Sequence, residues 1–148
     1  MGKHFCVIHA GSGNIAKNWH VINYIKLADM IFQRTSIIPI FTVGEADMLI
    51  EEELKKNNVP YPVFAHRPLL ELTALIHRAA FYIGNDSGVT HLAAAMGKPV
   101  VALFGFTNPR VWCPIGDKVR IIHAPYINNI EMSIKPEKVF EIIADMFR

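Results

Sequence analysis

The sequence predicts a single α/β domain with a parallel β-sheet that helices cover on both faces. Hydrophobic residues make up 51% of the 148 residues and charged residues only 19%, and such an apolar excess is typical of a sheet buried on both sides. Short apolar runs alternate with longer stretches of helical spacing, which is the pattern of right-handed βαβ units. A chain of this length fits one ordinary domain, and we take residues 1–148 as one unit.

The first elements alternate between strand and helix. Residues 5–9 form a short apolar run that ends at a glycine-rich turn, as a buried strand does. A helix is predicted next, because the apolar residues within 22–31 fall near helical spacing. Residues 36–44 then form a second buried strand that ends at a glycine. Residues 45–56 are helical by propensity, with acidic residues early and lysines late, which suits the helix dipole.

The middle of the chain repeats this alternation. Residues 61–65 are a candidate short strand, and 68–79 form a helix that opens with a proline, a residue well suited to a first turn. Residues 80–84 are predicted to be a strand. A helix over 88–96 follows, and we expect Gly97 to end it as a C-cap.

The last part of the chain supplies two more strands and a closing helix. Residues 99–104 are continuously apolar, which indicates a strand covered on both faces. A loop rich in Gly, Pro and Asn is predicted over 105–117. The last strand is predicted at 119–123 and the closing helix at 136–147.

The charge balance and the cysteines exclude several classes of protein. The net charge is +2, from 15 basic and 13 acidic residues, which is too balanced for an electrostatic nucleic-acid binder. Cys6 and Cys113 lie far apart without a C-x-x-C pair, which argues against a disulfide framework or a zinc site and suits a reducing compartment. No apolar run approaches the roughly 20 residues that span a bilayer, and residues 1–4 lead directly into the first strand without a signal peptide. We therefore expect a cytoplasmic protein.

A glycine-rich loop follows the first strand and contains a candidate phosphate-binding site. In an open parallel sheet, ligands bind outside the carboxyl ends of the strands. Gly11-Ser12-Gly13 lies at such an end, and Lys17 follows just before a helix. Glycines let backbone N–H groups approach an anion, and the hydroxyl of Ser12 and the ammonium of Lys17 would also bind the phosphate. The run is neither a Walker A motif nor G-x-G-x-x-G, so an ordinary strand-to-helix turn explains it about equally well.

Acidic residues follow the second strand at Glu45 and Asp47. An acid at this position can accept hydrogen bonds from ribose hydroxyls in a nucleotide-binding fold. Acidic residues also stabilise the first turn of any helix through its dipole. Taken alone, this stretch favours the helix-stabilising role.

The junction after the fourth strand is the densest polar cluster of the sequence. The run Gly-Asn-Asp-Ser-Gly-Val-Thr-His over 84–91 places a carboxylate, two hydroxyls and an imidazole before a small-residue helix. N-capping by Asp86 or Ser87 would be worth about 1 kcal/mol and needs only one such residue. It does not explain His91, one turn into the helix, whose ring nitrogens could face the same anion as the helix N-terminus.

With this motif, the sequence resembles the heptosyltransferases of lipopolysaccharide synthesis, glycosyltransferase family nine. Residues 84–105 look like the family's Gly-Asn-Asp-Ser-Gly-x-x-His-x-Ala-Ala signature and the Pro-x-Val-x-Leu-Phe-Gly strand that follows it. Two further spacings agree with it: Ser12 and Gly13 to Lys17 and Trp19, and Trp112-x-Pro114-x-Gly116. The resemblance covers nearly the whole chain and is to the C-terminal half of those enzymes.

The resemblance implies that this chain is a Rossmann-like, donor-binding domain, which forms one half of a GT-B glycosyltransferase. The N-terminal acceptor domain of such an enzyme, with its catalytic base, is then absent from this chain. It implies that the domain binds ADP-heptose or a related nucleotide sugar, and that the whole enzyme transfers heptose to the lipid-linked inner core of lipopolysaccharide, at the inner face of the membrane. The implied substrate-binding residues are Ser12, Gly13, Lys17, Glu45 (or Asp47), Asp86, Ser87, Gly88 and His91. No metal or other cofactor is expected, and no catalytic residue in this chain.

Two other functions remain open at this point. One is a stand-alone nucleotide-binding module without catalysis, and the other is a different nucleotide-sugar transferase or epimerase of the same architecture. On the heptosyltransferase interpretation, we expect the isolated chain to bind ADP and to transfer no sugar.

Overall fold

The computed structural model describes residues 4–124 and 133–148, which form a six-stranded parallel sheet with helices on both faces. The strand order is β3-β2-β1-β4-β5-β6, the order of a doubly wound nucleotide-binding sheet. The strands are β1 (Phe5–His9), β2 (Ile38–Val43), β3 (Val63–Ala65), β4 (Tyr82–Asn85), β5 (Val100–Phe104) and β6 (Val119–His123). The predicted fold class is therefore confirmed. Residues 1–3, on which the expectation about a signal peptide depends, lie outside the described residues.

Helices fill the connections between successive strands. The helices are α1 (Val21–Thr35), α2 (Met48–Lys56), α3 (Leu69–Arg78), α4 (Gly88–Ala95), α5 (Pro109–Trp112) and α6 (Pro136–Met146), with short 3-10 turns at Ile15–Lys17 and Glu45–Asp47. The predicted helix over 45–56 thus begins as a 3-10 turn, and the predicted loop over 105–117 contains the short helix α5. Gly97 has a φ of 73° directly after the end of α4, which is the predicted left-handed C-cap conformation.

Alternate residues of the central strands enter two separate apolar cores. In β1, Cys6 and Ile8 join the core that contains α1, α2 and α6, whereas Val7 joins the core under α3 and α4. Each of these three side chains is fully buried. A strand buried on both faces needs apolar residues at every position, which is why the central strands are continuous apolar runs in the sequence.

The register of the sheet brings the ends of several strands to one edge. His9, the last residue of β1, pairs with Thr42 of β2 on one side and with Gly84 of β4 on the other. The connection after β1 leads to β2 on one side of it, and the later strands continue on the other side, so the strand order reverses between β1 and β4. In open α/β sheets, ligands bind at this reversal. None of the helices formed by the described residues is both long and apolar enough to cross a membrane.

Candidate functional site

A cleft of about 260 Å³ lies at the carboxyl edge of the sheet, where the loops after β1, β2 and β4 converge. Its lining includes five of the predicted binding residues: Ser12, Gly13, Glu45, Ser87 and Gly88. Asp47, the alternative to Glu45, also lines it. The remaining predicted residues, Lys17, Asp86 and His91, form a separate group of charged side chains.

Lys17, Asp86 and His91 meet across the gap between the loop after β1 and the N-terminus of α4. The Lys17 ammonium lies 3.4 Å from Oδ2 of Asp86, and Nε2 of His91 lies 3.9 Å from Oδ1 of the same carboxylate. The Asp86 side chain is only 6% exposed, whereas Lys17 is 29% and His91 42% exposed. Oδ2 of Asp86 accepts no hydrogen bond, so its contact with Lys17 is an ion pair that is not aligned as a hydrogen bond. The structure thus brings these three predicted site residues together, although none of them is among the residues that line the cleft.

Ser87 and Gly88 begin helix α4 at the edge of the cleft. The Ser87 hydroxyl accepts a hydrogen bond from the backbone N–H of Thr90 at 3.4 Å, and Ser87 is the N-cap of α4. The capping role therefore belongs to Ser87 and not to Asp86, whose carboxylate remains directed at Lys17 and His91. Because a helix N-terminus carries unpaired N–H groups and partial positive charge, this edge of the cleft favours an anion.

The loop after β1 approaches the cleft through glycines. Gly13 has a φ of 76°, a left-handed conformation that glycine adopts without strain. A Cβ on Gly11 would overlap the carboxylate of Asp47, so only glycine lets this loop pass so close to the β2 loop. The Ser12 hydroxyl contacts Oδ1 of Asn18 at 2.6 Å and the carbonyl of Asn14 at 2.7 Å, both within its own loop.

Glu45 and Asp47 differ sharply in their surroundings. Glu45 is exposed, whereas Asp47 is 6% exposed and accepts a hydrogen bond from the backbone N–H of Gly44 at 2.8 Å. Oδ2 of Asp47 also lies 3.6 Å from Nε2 of His9. Asp47 is therefore already engaged within the fold, whereas the carboxylate of Glu45 faces solvent.

His9 forms part of the cleft lining and was missed as a site residue by the sequence analysis, which placed it only at the end of a strand. Its Nδ1 lies 2.8 Å from the Thr42 hydroxyl, and its ring is 5% exposed. Burial lowers the pKa of His9 from its usual value of 6.5, and the negative charge of Asp47 only partly opposes this effect. The ring is therefore neutral near pH 7 and bridges β1 and β2 as a hydrogen-bonding group.

The cleft lining also includes apolar side chains and an arginine. Phe64, Arg67, Leu72 and Val89 line it, and the Arg67 guanidinium lies 5.7 Å from the centre of the Phe64 ring. Arg67 also donates from Nε to Glu71 at 2.6 Å. None of these four residues is among the predicted substrate-binding residues. Three of them reach the cleft from β3, from α3 and from the turn between these elements, whose placement residue spacing does not reveal.

Within residues 4–124 and 133–148, no group of three His, Cys, Asp or Glu side chains is placed so that it could hold a metal ion. Lys17 and the N-terminus of α4 bring positive charge close to Asp86, and His91 would add to it in its protonated form.

Comparison with known proteins places the chain among sugar transferases. Residues 1–139 match the model of glycosyltransferase family 9 (heptosyltransferase). The lipooligosaccharide heptosyltransferase 2 of Haemophilus influenzae is 34% identical over 114 residues, a match that covers 72% of this chain and 32% of that protein. The chain thus spans about a third of the length of the curated relatives that it matches.

Solved structures share the fold. The structure of the E. coli ADP-heptose LPS heptosyltransferase II superposes with a TM-score of 0.85 at 23% identity, covering 97% of this chain and 46% of that one. The E. coli heptosyltransferase WaaC with ADP gives a TM-score of 0.84 at 22% identity, covering 97% and 44% of the two chains. The family model covers every residue that lines the cleft, and the chain belongs to glycosyltransferase family 9.

Proposed function

We propose that this chain is the donor-binding part of a heptosyltransferase that transfers heptose from an ADP-sugar to the inner core of lipopolysaccharide. The observation that carries the proposal is the meeting of Lys17 and His91 with the N-terminus of α4 at the reversal point of the sheet. Membership of glycosyltransferase family 9 gives the reaction class. The relatives named for heptose transfer are about three times as long as the aligned segment, so the complete activity is part of the proposal.

We propose that the diphosphate of the donor binds between the loop after β1 and α4. The ammonium of Lys17 and the imidazole of His91 would contact its oxygens, and the backbone N–H groups of Gly13 and Gly88 would approach them closely. Ser12 and Ser87 both line the cleft. Transfer of the sugar leaves a nucleoside diphosphate with growing negative charge, and fixed donors and cations at that position stabilise it. We assign this stabilisation to the side chains and amides named here, without a metal ion.

The two candidate acids after β2 receive different roles in this proposal. We assign the ribose hydroxyls to Glu45, because its carboxylate is exposed at the cleft. Asp47 is instead engaged within the fold, since its Oδ2 accepts from the Gly44 N–H and lies 3.6 Å from Nε2 of His9 in β1. The adenine base of the donor would then lie against the apolar side chains of Phe64, Leu72 and Val89.

In the proposed reaction, a hydroxyl of the lipid-linked acceptor attacks the anomeric carbon of the donor, and ADP leaves. A general base must take the proton of that hydroxyl. We assign the base and the acceptor site to the part of a complete family enzyme that this chain does not match, and we place the reaction on the cytoplasmic side of the membrane. Both cysteines are free thiols, as a reducing compartment requires.

Calorimetric titration and a turnover assay test the proposal. The 148-residue chain should bind ADP in preference to UDP and GDP, and it should produce no heptose transfer from ADP-heptose to an inner-core acceptor. Glu45→Gln, which keeps the size of the side chain, should weaken the binding of ADP and adenosine alike, because both carry the ribose. Transfer by this chain alone would refute its assignment as a donor-binding part, and equal affinity for the three diphosphates would refute the ADP-sugar donor.

A stand-alone nucleotide-binding module is not favoured, since the family match extends over residues 1–139 and includes the whole cleft. An epimerase of similar architecture is disfavoured for the same reason.

A further inference from the structure

Asn85, the last residue of β4, is a fully buried amide between the two halves of the proposed phosphate site. Its Oδ1 accepts hydrogen bonds from the backbone N–H of Trp19 at 3.0 Å and from the hydroxyl of Tyr24 at 2.8 Å. Its Nδ2 donates to the carbonyl of Ala10 at 2.9 Å and lies 3.3 Å from Oδ1 of Asn18. These partners are 61 to 75 residues away in sequence.

The orientation of this amide follows from its partners. The backbone N–H of Trp19 can only donate, and the carbonyl of Ala10 can only accept. Oδ1 must therefore face Trp19 and Nδ2 must face Ala10. Aspartate would lack the donor toward Ala10, and an apolar residue would leave both backbone groups unsatisfied in a buried place, which is costly. The position requires a side chain that donates and accepts at once.

Asn85 holds both ends of the loop that carries Lys17. Ala10 lies at the start of that loop, and Asn18 and Trp19 lie at its end, so one side chain closes a segment of ten residues. Between these ends the loop is largely exposed and contains the left-handed Gly13. Trp19 is anchored further by its indole N–H, which donates to the carbonyl of Ile134 at 2.9 Å. The position of Lys17, next to Asn18, is therefore fixed by a residue of β4, the strand that Asp86 follows directly.

We infer that Asn85 is a positioning residue, which fixes the loop after β1 so that Lys17 reaches the diphosphate of the donor. The inference rests on the proposed function, because it assigns Lys17 to the phosphates. Asn85 itself touches no substrate in this account. It acts through the hydrogen bonds to Ala10 and Asn18. The cleft residues that we assign to the adenine base and the ribose do not depend on it.

The test compares Asn85→Ala with Tyr24→Phe in the 148-residue chain. Asn85→Ala adds no charge and removes every bond to the loop, whereas Tyr24→Phe removes one bond to Asn85 and leaves the bonds to Ala10 and Asn18 in place. Asn85→Ala should weaken ADP binding about tenfold. This is the lower end of the loss of affinity expected on removal of a lysine that binds phosphate. Adenosine binding should change less than about twofold, and Tyr24→Phe should leave both affinities within about twofold of the unchanged chain.

A double-variant cycle separates positioning from a general loss of stability. If Asn85 acts through Lys17, then Lys17→Ala should weaken ADP binding at least about tenfold in the unchanged chain but less than about threefold in the Asn85→Ala background. Amide hydrogen exchange within residues 11–18 should accelerate in Asn85→Ala and not in Tyr24→Phe. If Asn85→Ala does not fold, Asn18→Ala at the partly exposed end of the loop decides the question by the same readouts.

Distinct results would overturn the inference and the proposed function. Asn85 is not a positioning residue if its removal weakens ADP and adenosine equally, leaves ADP binding intact, or adds fully to the effect of Lys17→Ala. If the unchanged chain binds no ADP, the proposed function fails, and the inference fails with it.

Discussion

Replacement of Lys17 by alanine removes the cation nearest to the buried Asp86, and its effect on nucleotide binding follows from the site geometry. The ammonium is 29% exposed and lies 3.4 Å from the Asp86 carboxylate without a hydrogen bond to it. Its three N–H groups are therefore free to turn toward a bound phosphate while the charge stays close to Asp86. A charge-assisted hydrogen bond contributes about 1.5–3 kcal/mol. Lys17→Ala should thus weaken ADP binding by roughly tenfold to a hundredfold, at about 1.4 kcal/mol per decade.

The same change should also lower the stability of the fold. A solvated loop lysine contributes little, usually within ~0.5 kcal/mol. Asp86, however, is 6% exposed, and without Lys17 its remaining ion-pair partner among the described residues is His91, at 3.9 Å. An unsatisfied buried polar group costs about 1–3 kcal/mol, and partial access of water at the Lys17 position places the expected loss near the lower end of that range. Urea denaturation of the two proteins measures it.

Calorimetric titration with ADP and adenosine gives the decisive comparison for Lys17. Adenosine lacks the phosphates, so its affinity should be almost unchanged in Lys17→Ala. Lys17→Arg should recover part of the ADP affinity, because the planar guanidinium keeps the charge but not the compact geometry of an ammonium. Lys26→Ala, an exposed lysine of α1 outside the cleft, controls for the loss of one positive charge. Equal weakening of ADP and adenosine would show that Lys17 supports the loop and does not grip phosphate.

Three further predictions follow from the buried polar groups around the cleft. The free energy of unfolding should fall as the pH is lowered below about 6.5, because unfolded His9 takes up a proton that the native ring, with its lowered pKa, binds less readily. His9→Gln should reduce this dependence on pH in denaturation measured between pH 7.5 and 5.5. An unchanged pH dependence would exclude His9 as its source. Gly11→Ala should destabilise the chain by about 1–3 kcal/mol, the usual cost of an overpacked site, since its Cβ overlaps the carboxylate of Asp47; a melting temperature equal to that of the unchanged chain would contradict this. Ser87→Ala should cost about 0.5–2 kcal/mol through loss of the α4 cap, whereas Ser87→Asp should retain most of the stability in the same urea titration.

Periodicity was sufficient to predict most of the fold because local patterns determine most of it. The strands Phe5–His9 and Val119–His123 have the predicted bounds, since both are short apolar runs between turn residues. The fourth strand was predicted at 80–84 but covers Tyr82–Asn85, so it begins two residues later and ends one residue later than predicted. The misplaced end has a physical reason. The reason is that Asn85 is polar and buried, and a buried amide at the end of a strand looks like a loop residue in the sequence. Helix α5, four residues long, is too short for any periodicity to predict.

The site was predictable where its chemistry is concentrated in one segment of the chain and not where it depends on distant contacts. Asp86, Ser87 and His91 stand together in one motif, and the ends of parallel strands bring Lys17 to them. Asn85 belongs to the same motif, but its function depends on Ala10 and on Trp19, more than 60 residues away. No spacing along the sequence reveals such a hydrogen bond. His9 was missed for the same reason, because its partners lie on β2 and on the loop that follows it.

The buried carboxylate of Asp86 is compatible with the proposed phosphate binding, because the cationic side chains of the site lie closer to solvent than the carboxylate does. Asp86 is 6% exposed and lies beneath Lys17 and His91, which are 29% and 42% exposed. An anion that enters from solvent therefore meets the cationic groups and the N-terminus of α4 before it approaches the carboxylate, and Coulomb energy falls with distance. Asp86 also compensates the charges of Lys17 and His91, which would otherwise repel each other whenever His91 is protonated. The carboxylate thus keeps the site preorganised, which is the condition under which fixed charges stabilise a leaving diphosphate most strongly.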